Sequence, residues 1–525
     1  MNGNTDAGER LRLRVAARLG ELWGGPVDVG GVARLSGGAS RETWSLDATL
    51  PDGTSHGLIV RRDPEHLPRP EQMAREAAAF TAARAAGVPE PELYDHGPVT
   101  GGEPDGPGAG PPGGPDGPAL GSPYLLMERL EGETIARRLL RDDAYAGARP
   151  KLAYAFGTVL ARIHAIDPGV IPGLDRVDAL PQLLALYEDF GEPRPALELG
   201  LRWLREHRPA PSGDTLVHGD FRTGNLLIGP DGLRGVLDWE LAHRGDPMQD
   251  LGWLCTKAWR FGSPHPVGGF GPREELLAGY AAAGGTPPDA ETLAWWELYG
   301  TIRWALLCRR QAERHLSGAE PSLELAVLGR RVCEQEHDVL LALGITEPTT
   351  VTDPLAETPA TQRGVGGADT AANEETRAGA PRPGPPAIAG GTSGGRRDGT
   401  DATRSPGGSG RAPHDLPGAD GLLAVVGDFL TTEMAAGGDA RLRFHARVAA
   451  NAVKIARREA LLASGHAAAH RARLAALGCA GDSALAAAIR DGALDDRWDE
   501  VTAAVRADIT DKLLVANPAH LAIPG

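Results

Sequence analysis

The sequence is poor in cysteine and aromatic residues and short of positive charge. Cys255, Cys308, Cys333 and Cys479 are the four cysteines in 525 residues, and none belongs to a CxxC pair. We therefore expect buried, reduced thiols rather than a disulfide framework or a thiolate metal centre. Lys and Arg number 54 against 70 Asp and Glu, which gives a formal net charge of −16. Proteins that bind nucleic acid normally carry a basic face, so this excess of acid argues against a nucleic-acid partner.

Long apolar runs are also missing. No apolar stretch reaches the roughly 20 residues that a membrane-spanning helix needs. Residues 1–10 are polar and lack the apolar core of a signal peptide. We therefore expect a cytoplasmic protein without a membrane partner. A chain of 525 residues is long enough for two or three domains with their own cores.

Composition divides the chain into four regions. Residues 1–28 are predicted to form an N-terminal helical lead-in, and residues 29–345 alternate strand-like and helix-like segments. Residues 346–417 are rich in Gly, Pro, Thr, Ala and Arg with almost no large apolar side chains, which predicts a disordered linker. Residues 418–525 are rich in Ala and carry apolar side chains at helical spacing. This last pattern predicts a small all-α domain.

The alternating region changes character at about residue 130. Short β-type segments dominate residues 29–130, and long segments of helical periodicity dominate residues 131–345. We therefore predict an α+β fold with two lobes, a smaller N-lobe that contains a sheet and a larger helical C-lobe. The Gly- and Pro-rich stretch from Gly97 to Gly121 is predicted to be a surface insertion.

The octet HGDFRTGN, which begins at His218, is the most informative feature of the chain. Asp220 can accept a proton from an attacking hydroxyl group, and Asn225 follows at the spacing of a kinase catalytic loop. Asp238 ends a short apolar strand-like segment, and Asn225 and Asp238 offer hard oxygen ligands to Mg²⁺. We predict Asp220 as the base, Asn225 and Asp238 as metal ligands, and His218 as a support of the turn. Asp250 either caps the next helix or anchors this turn.

A glycine pair near the N-terminus is a candidate phosphate loop. Gly37, Gly38 and Ser40 lie between two predicted strands. Backbone N–H groups can approach a phosphate closely where side chains are absent. An ordinary hairpin turn is the alternative interpretation of two glycines taken alone. The downstream octet favours the phosphate loop.

A basic residue at the end of the third predicted strand is the candidate phosphate cation. Arg61 occupies the position where a kinase places a cation over the nucleotide phosphates, and Glu76 on the next predicted helix can pair with it. Arg62 is the competing candidate, because side chains alternate between the two faces of a strand. A guanidinium group can hold phosphate oxygens with two hydrogen bonds, so either arginine suits the role.

The segment after the last predicted strand of the N-lobe is the candidate adenine site. Met127, Glu128 and Leu130 lie in the predicted connection between the lobes. Backbone groups there can hydrogen-bond adenine while apolar side chains form walls around it. A plain linker between the lobes is the alternative interpretation.

These residues resemble the aminoglycoside phosphotransferase family, whose members have the protein-kinase-like fold. The resemblance covers about Val32 to Leu343 and rests on the motifs LVHGDFRTGNLLI and VLDWELAHRGDPMQDLGWL. Within the family, these motifs are most similar to those of the kinase domains found beside acyl-CoA dehydrogenases. The resemblance implies ATP and Mg²⁺ as cofactors and a hydroxyacyl-CoA or a related metabolite as acceptor. The last region resembles a small helical domain of unknown function that accompanies such enzymes.

Three functions compete on this evidence. The leading hypothesis is a small-molecule kinase that transfers the γ-phosphoryl group of ATP to a hydroxyl group. A nucleotide-binding scaffold without turnover is the second hypothesis. The third is an antibiotic phosphotransferase, since a polycationic aminoglycoside needs an acidic pocket. The helical lobe carries acids that are either such a pocket or a solvated surface: Glu188, Asp189, Glu192, Glu198, Asp289, Glu291 and Glu297.

Overall fold

The computed structural model describes residues 2–35, 41–97, 119–356 and 440–524, together with a few single positions between 422 and 434. Gly37, Gly38 and Ser40 of the predicted phosphate loop lie outside the described residues. Residues 357–417 of the predicted linker also lie outside them.

The N-lobe is built on a five-stranded antiparallel sheet. Its strands run in the order β1-β2-β3-β5-β4. Helix α1 (Asn2–Trp23) packs on one face of this sheet and helix α2 (Pro70–Ala85) on the other. The strands are β1 (Asp28–Leu35), β2 (Glu42–Thr49), β3 (Ser55–Arg62), β4 (Leu93–Gly97) and β5 (Tyr124–Glu128).

Because both faces of this sheet are covered, its central strand is apolar on both sides. Leu58 and Val60 of β3 join the cluster beneath α1, while Ile59 packs in the cluster that contains α2. The strand alternation then sends Arg61 to the α2 face, with Ile59, and Arg62 to the α1 face. The side of the sheet that faces the rest of the molecule therefore receives Arg61.

The C-lobe is mainly helical and carries two short antiparallel sheets. Strand β6 (Thr215–Val217) pairs with β9 (His243–Gly245), and β7 (Leu226–Gly229) forms a hairpin with β8 (Gly232–Val236). The longest helix of the C-lobe, α9, begins after Asp289. The Asp289 side chain accepts a hydrogen bond from the Thr292 N–H and so caps the helix. The helices are α3 (Ala136–Arg141), α4 (Arg149–His164), α5 (Ala179–Phe190), α6 (Pro195–Glu206), α7 (Met248–Cys255), α8 (Arg273–Ala282), α9 (Ala290–Leu316), α10 (Leu323–Gly329) and α11 (Val332–Ala342).

The last region forms the all-α domain that the sequence predicts. Its helices are α12 (Ala440–Ala476), α13 (Asp482–Asp491) and α14 (Trp498–Ala516), followed by a 3₁₀ turn, Pro518–Ala522. Its apolar core is continuous with side chains of α6 and α11 in the C-lobe. This domain therefore packs directly on the C-lobe.

Residues 346–356, which composition assigns to the disordered linker, make defined contacts. The Thr349 N–H donates to the Leu521 carbonyl oxygen at 2.7 Å. The Asp353 carboxylate accepts a hydrogen bond from Arg458 Nε at 2.9 Å. The prediction of disorder is therefore wrong for these residues, because the ion pair and the half-buried Val351 attach them to the C-terminal domain.

The described part of the chain thus has the predicted bilobal α+β fold followed by a small all-α domain. No disulfide joins the four cysteines, all of which are described, and three of them are buried. Across the described ranges, no helix combines the length and apolarity that crossing a membrane requires.

Candidate active site

The chain between β6 and β7 forms a tight turn that is anchored by one buried acid. Asp250, on α7, is fully buried, and its carboxylate accepts the N–H groups of His218 at 2.8 Å and Gly219 at 2.9 Å. His164 Nε2 lies 3.2 Å from the same carboxylate. Burial opposes ionisation of Asp250, but His164 and the backbone donors prevail and lower its pKa below the ordinary value. Asp250 thus anchors the turn, as one of its two sequence interpretations expects.

Asp220 lies at the centre of this turn and is held by three side chains. Its Oδ1 accepts hydrogen bonds from Trp253 Nε1 at 2.9 Å and Arg222 Nε at 3.0 Å. Its Oδ2 accepts from Asn225 Nδ2 at 2.6 Å. These hydrogen bonds leave the carboxylate little freedom to rotate. The arrangement therefore fixes the direction in which Asp220 presents its oxygens.

The β7–β8 hairpin brings Asn225 and Asp238 to the same place, although they are 13 positions apart in sequence. Leu226 pairs with Val236 in this hairpin, so Asn225, just before the first strand, lies beside Leu237, just after the second. The Leu237 N–H donates to the Asn225 carbonyl oxygen at 2.8 Å. Asp238 follows directly with a φ of 72°, a left-handed conformation that Asp tolerates better than most residues. Asn225 therefore contacts Asp220 through its side chain and the segment that leads to Asp238 through its backbone.

Arg61 links the two lobes across this site. One guanidinium nitrogen donates to Glu76 Oε1 at 2.6 Å, and another donates to Asp238 Oδ1 at 2.8 Å. Partial burial opposes ionisation of the Asp238 carboxyl, but the nearby Arg61 charge prevails and lowers its pKa. The Asp238 carboxylate is therefore ionised and paired with Arg61 of the N-lobe.

Arg62 is directed elsewhere. Its Nε donates to Glu42 Oε2 at 2.8 Å, and a terminal nitrogen donates to the Leu120 carbonyl oxygen at 3.3 Å. Arg41, which sequence reasoning missed, is buried beside Glu76 and also pairs with Asp63 at 3.2 Å. Glu76 thus holds two arginines, and of the two candidates only Arg61 reaches the cleft.

His218 contacts both the turn and the end of the β7–β8 hairpin. Its Nδ1 accepts the Asp220 N–H at 3.1 Å, and its Nε2 lies 3.2 Å from the Leu237 carbonyl oxygen. Burial lowers the pKa of His218, which favours a neutral ring with one donor and one acceptor nitrogen. The ring therefore ties the catalytic turn to the end of the β7–β8 hairpin.

Trp239 and Glu240 follow Asp238 in the positions of a kinase's Phe and Gly. Trp239 is buried against His218, with ring centroids 4.6 Å apart, and its Nε1 donates to Glu90 Oε1 at 3.1 Å. Burial and the neighbouring Asp238 raise the pKa of Glu240. The tryptophan thus fills an inter-lobe core position, whereas Glu240 faces a cavity of about 390 Å³ that Gln72, His243 and Arg303 also line.

The predicted adenine segment starts at the end of β5, which lies between β3 and β4 in the sheet. Met127 is almost fully buried and belongs to the main core, so its side chain packs inward. The Glu128 N–H donates to the Glu92 carbonyl oxygen at 2.8 Å, and the Glu128 carboxylate accepts the Glu92 N–H at 3.2 Å. Leu130 is half-buried and lies against Gly235 of β8. Of the three, Leu130 is the side chain positioned between the lobes.

Three further side chains of the C-lobe support the catalytic turn and were not found from sequence. Trp253 and Arg222 bind Asp220 directly, and the Arg222 guanidinium lies 4.5 Å from the centre of the Trp259 ring. Arg303, on α9, donates to the Gly219 carbonyl oxygen at 2.8 Å and lies 4.6 Å from the Trp253 ring centre. These contacts join α7 and α9 to the turn, and no local sequence pattern signals them.

Family models match two separate parts of the chain. The model of the "Phosphotransferase enzyme family" matches residues 31–299, just over half of the chain. The model of a "Domain of unknown function (DUF6285)" matches residues 436–520. The first match contains every predicted site residue, and the second coincides with the all-α domain.

Individual relatives match parts of the chain. Acyl-CoA dehydrogenase family member 10 of Mus musculus is 30% identical over 227 residues, 40% of this chain and 19% of that protein. Aminoglycoside 3′-phosphotransferase of Escherichia coli is 28% identical over 146 residues, 26% of this chain and 53% of that protein. The crystal structure of macrolide 2′-phosphotransferase MphH from Brachybacterium faecium is 19% identical with a TM-score of 0.38, covering 64% of this chain and 99% of that one. The chain therefore spans about a fifth of the first curated relative and about half of the second.

Proposed function

The chain belongs to the phosphotransferase enzyme family, and we propose that it is a small-molecule kinase that transfers the γ-phosphoryl group of ATP to a hydroxyl group of its acceptor. The observation that carries the proposal is the convergence of Asp220, Asn225 and Asp238. The side-chain amide of Asn225 donates to Asp220. The backbone carbonyl oxygen of Asn225 accepts the N–H of Leu237, the residue before Asp238. A base and two oxygen ligands at one cleft are the groups that phosphoryl transfer requires.

In this proposal Asp220 is the catalytic base. Trp253, Arg222 and Asn225 hold its carboxylate in one orientation. An oriented carboxylate can accept a hydrogen bond from the acceptor hydroxyl and take its proton as the new P–O bond forms. Orientation also makes the hydroxyl oxygen point at the phosphoryl group, which lowers the entropic part of the barrier.

The donor set at the cleft fits a Mg²⁺ ion. The Nδ2 group of Asn225 is used on Asp220, so its Oδ1 is the atom that suits a cation. Asp238 contributes an ionised carboxylate, and hard oxygen ligands are those that Mg²⁺ prefers. Mg²⁺, when bound, neutralises the charge of the nucleotide phosphates. Arg61, anchored by Glu76, can hold phosphate oxygens with its planar fork of donors.

We assign the acceptor to the cavity beside Glu240 and Arg303. Its volume of about 390 Å³ suits a small molecule, and Arg303 joins it to the catalytic turn through the Gly219 carbonyl. Similarity to the acyl-CoA dehydrogenase family member supports a hydroxyacyl-CoA or a related metabolite as the acceptor. The same similarity supports a functional link to an acyl-CoA dehydrogenase.

The charges of the C-lobe argue against a polycationic aminoglycoside as the acceptor. Such a ligand needs carboxylates that are available for its ammonium groups. Several of the acids that would provide them already neutralise arginines of this chain: Glu192 pairs with Arg309 at 2.7 Å, Glu297 pairs with Arg273 at 2.6 Å, and Glu198 is buried against Arg490.

Asp220→Asn tests the proposal directly. The full-length protein is incubated with Mg·ATP and a panel of hydroxyl-bearing metabolites, and phosphorylated products are identified by mass spectrometry. Loss of the base should reduce turnover by about 10²–10⁴-fold. Asp231→Asn is the matched control, because Asp231 is exposed at the tip of the neighbouring hairpin, where its carboxylate pairs with Arg234 at 2.9 Å.

The outcomes separate the kinase from its alternatives. Turnover in Asp220→Asn equal to that in Asp231→Asn would reject the assigned base. Binding of Mg·ATP by calorimetry without turnover on any acceptor would favour a nucleotide-binding scaffold. Phosphorylation of kanamycin or erythromycin in preference to the metabolites would favour an antibiotic phosphotransferase.

A further inference from the structure

The C-lobe presents three buried carboxylates to the C-terminal domain. Glu198 on α6 and Glu336 and Asp338 on α11 are each at most 5% exposed. A buried carboxylate is costly unless an opposite charge or hydrogen-bond donor satisfies it. The C-terminal domain supplies a donor to each: Arg490 to Glu198, Lys512 to Glu336 at 3.0 Å, and His520 to Asp338 at 2.8 Å.

The contact at Asp338 also includes a residue that follows α7, the helix that carries Asp250 and Trp253. Lys257 begins a short 3₁₀ segment, Lys257–Arg260, directly after α7. Its Nζ donates to Asp338 Oδ1 at 2.8 Å and to the Ile523 carbonyl oxygen at 2.9 Å. His520 binds the same Asp338 oxygen. The Ile523 carbonyl oxygen therefore holds Lys257 directly, and His520 holds it through their shared partner, Asp338.

Lys257 is connected to Asp220 through two packed rings. Trp259, in the same 3₁₀ segment, lies 4.5 Å below the guanidinium of Arg222, which donates to Asp220 at 3.0 Å. The Trp259 ring is also 5.1 Å from the Trp253 ring, whose Nε1 donates to Asp220 at 2.9 Å. Both side-chain donors to Asp220 Oδ1 thus rest on the segment that the chain terminus clamps.

The side chains around Asp338 could instead bind a metal ion. His337, Asp338 and His520 offer ligand atoms close enough to share one ion. However, the Lys257 ammonium already bonds to the Asp338 oxygen that such an ion would need. Two cations on one carboxylate oxygen repel each other, so the arrangement favours an ion-pair clamp.

We propose that the C-terminal domain is a built-in positioning element of the phosphotransferase domain, whose final turn holds Lys257 and thereby the Trp259–Arg222 support of Asp220. This inference rests on the proposed role of Asp220 as base. It gives the all-α domain a function in catalysis without a reactive group of its own. His520 and Lys257 are then positioning residues.

The test compares His520→Leu with Lys512→Met in the full-length protein. Both changes remove one donor at the same interface, but Lys512 lies on α14, and its loss leaves Glu336 with Arg194 at 3.5 Å. His520→Leu should lower kcat by between about tenfold and about 100-fold, with KM for ATP unchanged within twofold, because misplacing a catalytic group costs that much. His520→Gln, which keeps a donor, should restore most of kcat. Lys512→Met should lower the thermal midpoint but leave kcat within twofold of wild type.

Hydrogen exchange gives a readout that does not need a known acceptor. His520→Leu should speed exchange in residues 218–225 and 257–260, and Lys512→Met should not. If wild type turns over no acceptor, this result still supports the positioning role while the proposed kinase function fails. Equal kcat losses in both variants, or unchanged exchange in His520→Leu, would overturn the inference. So would a fall in the thermal midpoint on adding EDTA to wild type but not to His520→Leu, which would indicate a metal ion bound by His520 and its neighbours instead.

Discussion

Replacing Asp250 with Asn should destabilise the protein at the catalytic turn. Asp250 is fully buried and accepts two backbone N–H groups, from His218 and Gly219, one on each oxygen. The side-chain amide of an Asn keeps one acceptor oxygen for one of these backbone N–H groups, but its NH₂ group, a donor, faces the other. One charge-assisted hydrogen bond is lost and one buried N–H is left unsatisfied, which together cost about 3 kcal/mol. The urea midpoint, followed by tryptophan fluorescence, should fall accordingly.

Asp289→Asn is the control for this substitution. Asp289 also accepts a backbone N–H, from Thr292 at 2.7 Å, but it is an exposed N-cap, where Asn is as favourable as Asp. Its urea midpoint should match that of wild type. The pKa of Asp250 is lowered in the folded protein, so its contribution is present above the unfolded pKa and is lost as the pH falls through the folded one. The wild-type advantage over Asp250→Asn should therefore shrink in acid. An unchanged midpoint at neutral pH would show that Asp250 does not anchor the turn.

Three other predictions concern the cleft, the turn and the C-terminal domain. Arg61→Gln should raise KM for ATP roughly 10–100-fold through loss of charged hydrogen bonds to phosphate, and an unchanged KM in steady-state kinetics would exclude Arg61 from that role. Gly219→Ala should lower both kcat and the urea midpoint, because φ is 80° there and an added Cβ would lie 2.4 Å from the Leu241 carbonyl oxygen; wild-type values would refute the steric argument. The pKa of His470 is raised from 6.5 to about 9 by hydrogen bonds to Asp482 and Asp508, so its stabilisation is complete below pH 6.5 and is lost as the pH rises through 9. The thermal midpoint should fall over this range in wild type and less in His470→Gln.

The sequence allows the candidate catalytic residues to be placed together because the contacts between them are local. Asp220 and Asn225 belong to one turn, and Asp238 follows the hairpin that this turn begins, so spacing alone brings them together. The alternation of strands and helices likewise predicts the two lobes and the all-α domain. The roles of these side chains in binding nucleotide and acceptor stay predictions that the experiments above address.

The choice between Arg61 and Arg62 depends on long-range packing. Leu58, Ile59 and Val60 are all apolar because α1 and α2 cover opposite faces of the sheet. A strand that is buried on both sides gives no pattern that distinguishes its faces. The direction of Arg61 follows only from the position of α2, which is a tertiary contact.

The buried acids of the C-lobe were hidden from sequence for a related reason. Glu198 lies on a helix whose acidic residues suggest a solvated surface, yet it is fully buried. Its partner, Arg490, is 292 positions later in the chain. Arg303 likewise reaches Gly219 from 84 positions away. Contacts at such separations leave no periodicity in the sequence, so only the folded chain reveals them.

Arginine rather than lysine at position 61 has a structural reason. Two different nitrogens of its planar group reach Glu76 on the N-lobe helix and Asp238 on the C-lobe hairpin. A lysine would have to reach both carboxylates from a single nitrogen, whereas the guanidinium reaches them from two nitrogens at a fixed separation. The guanidinium therefore bridges the lobes while it keeps Asp238 ionised. Glu76 is also held by Arg41, so Arg61 can release Asp238 to another cation without leaving Glu76 unpaired. The Arg61–Asp238 ion pair can thus break while the Arg61–Glu76 ion pair stays in place. The proposed exchange of an ion pair for a nucleotide requires this independence.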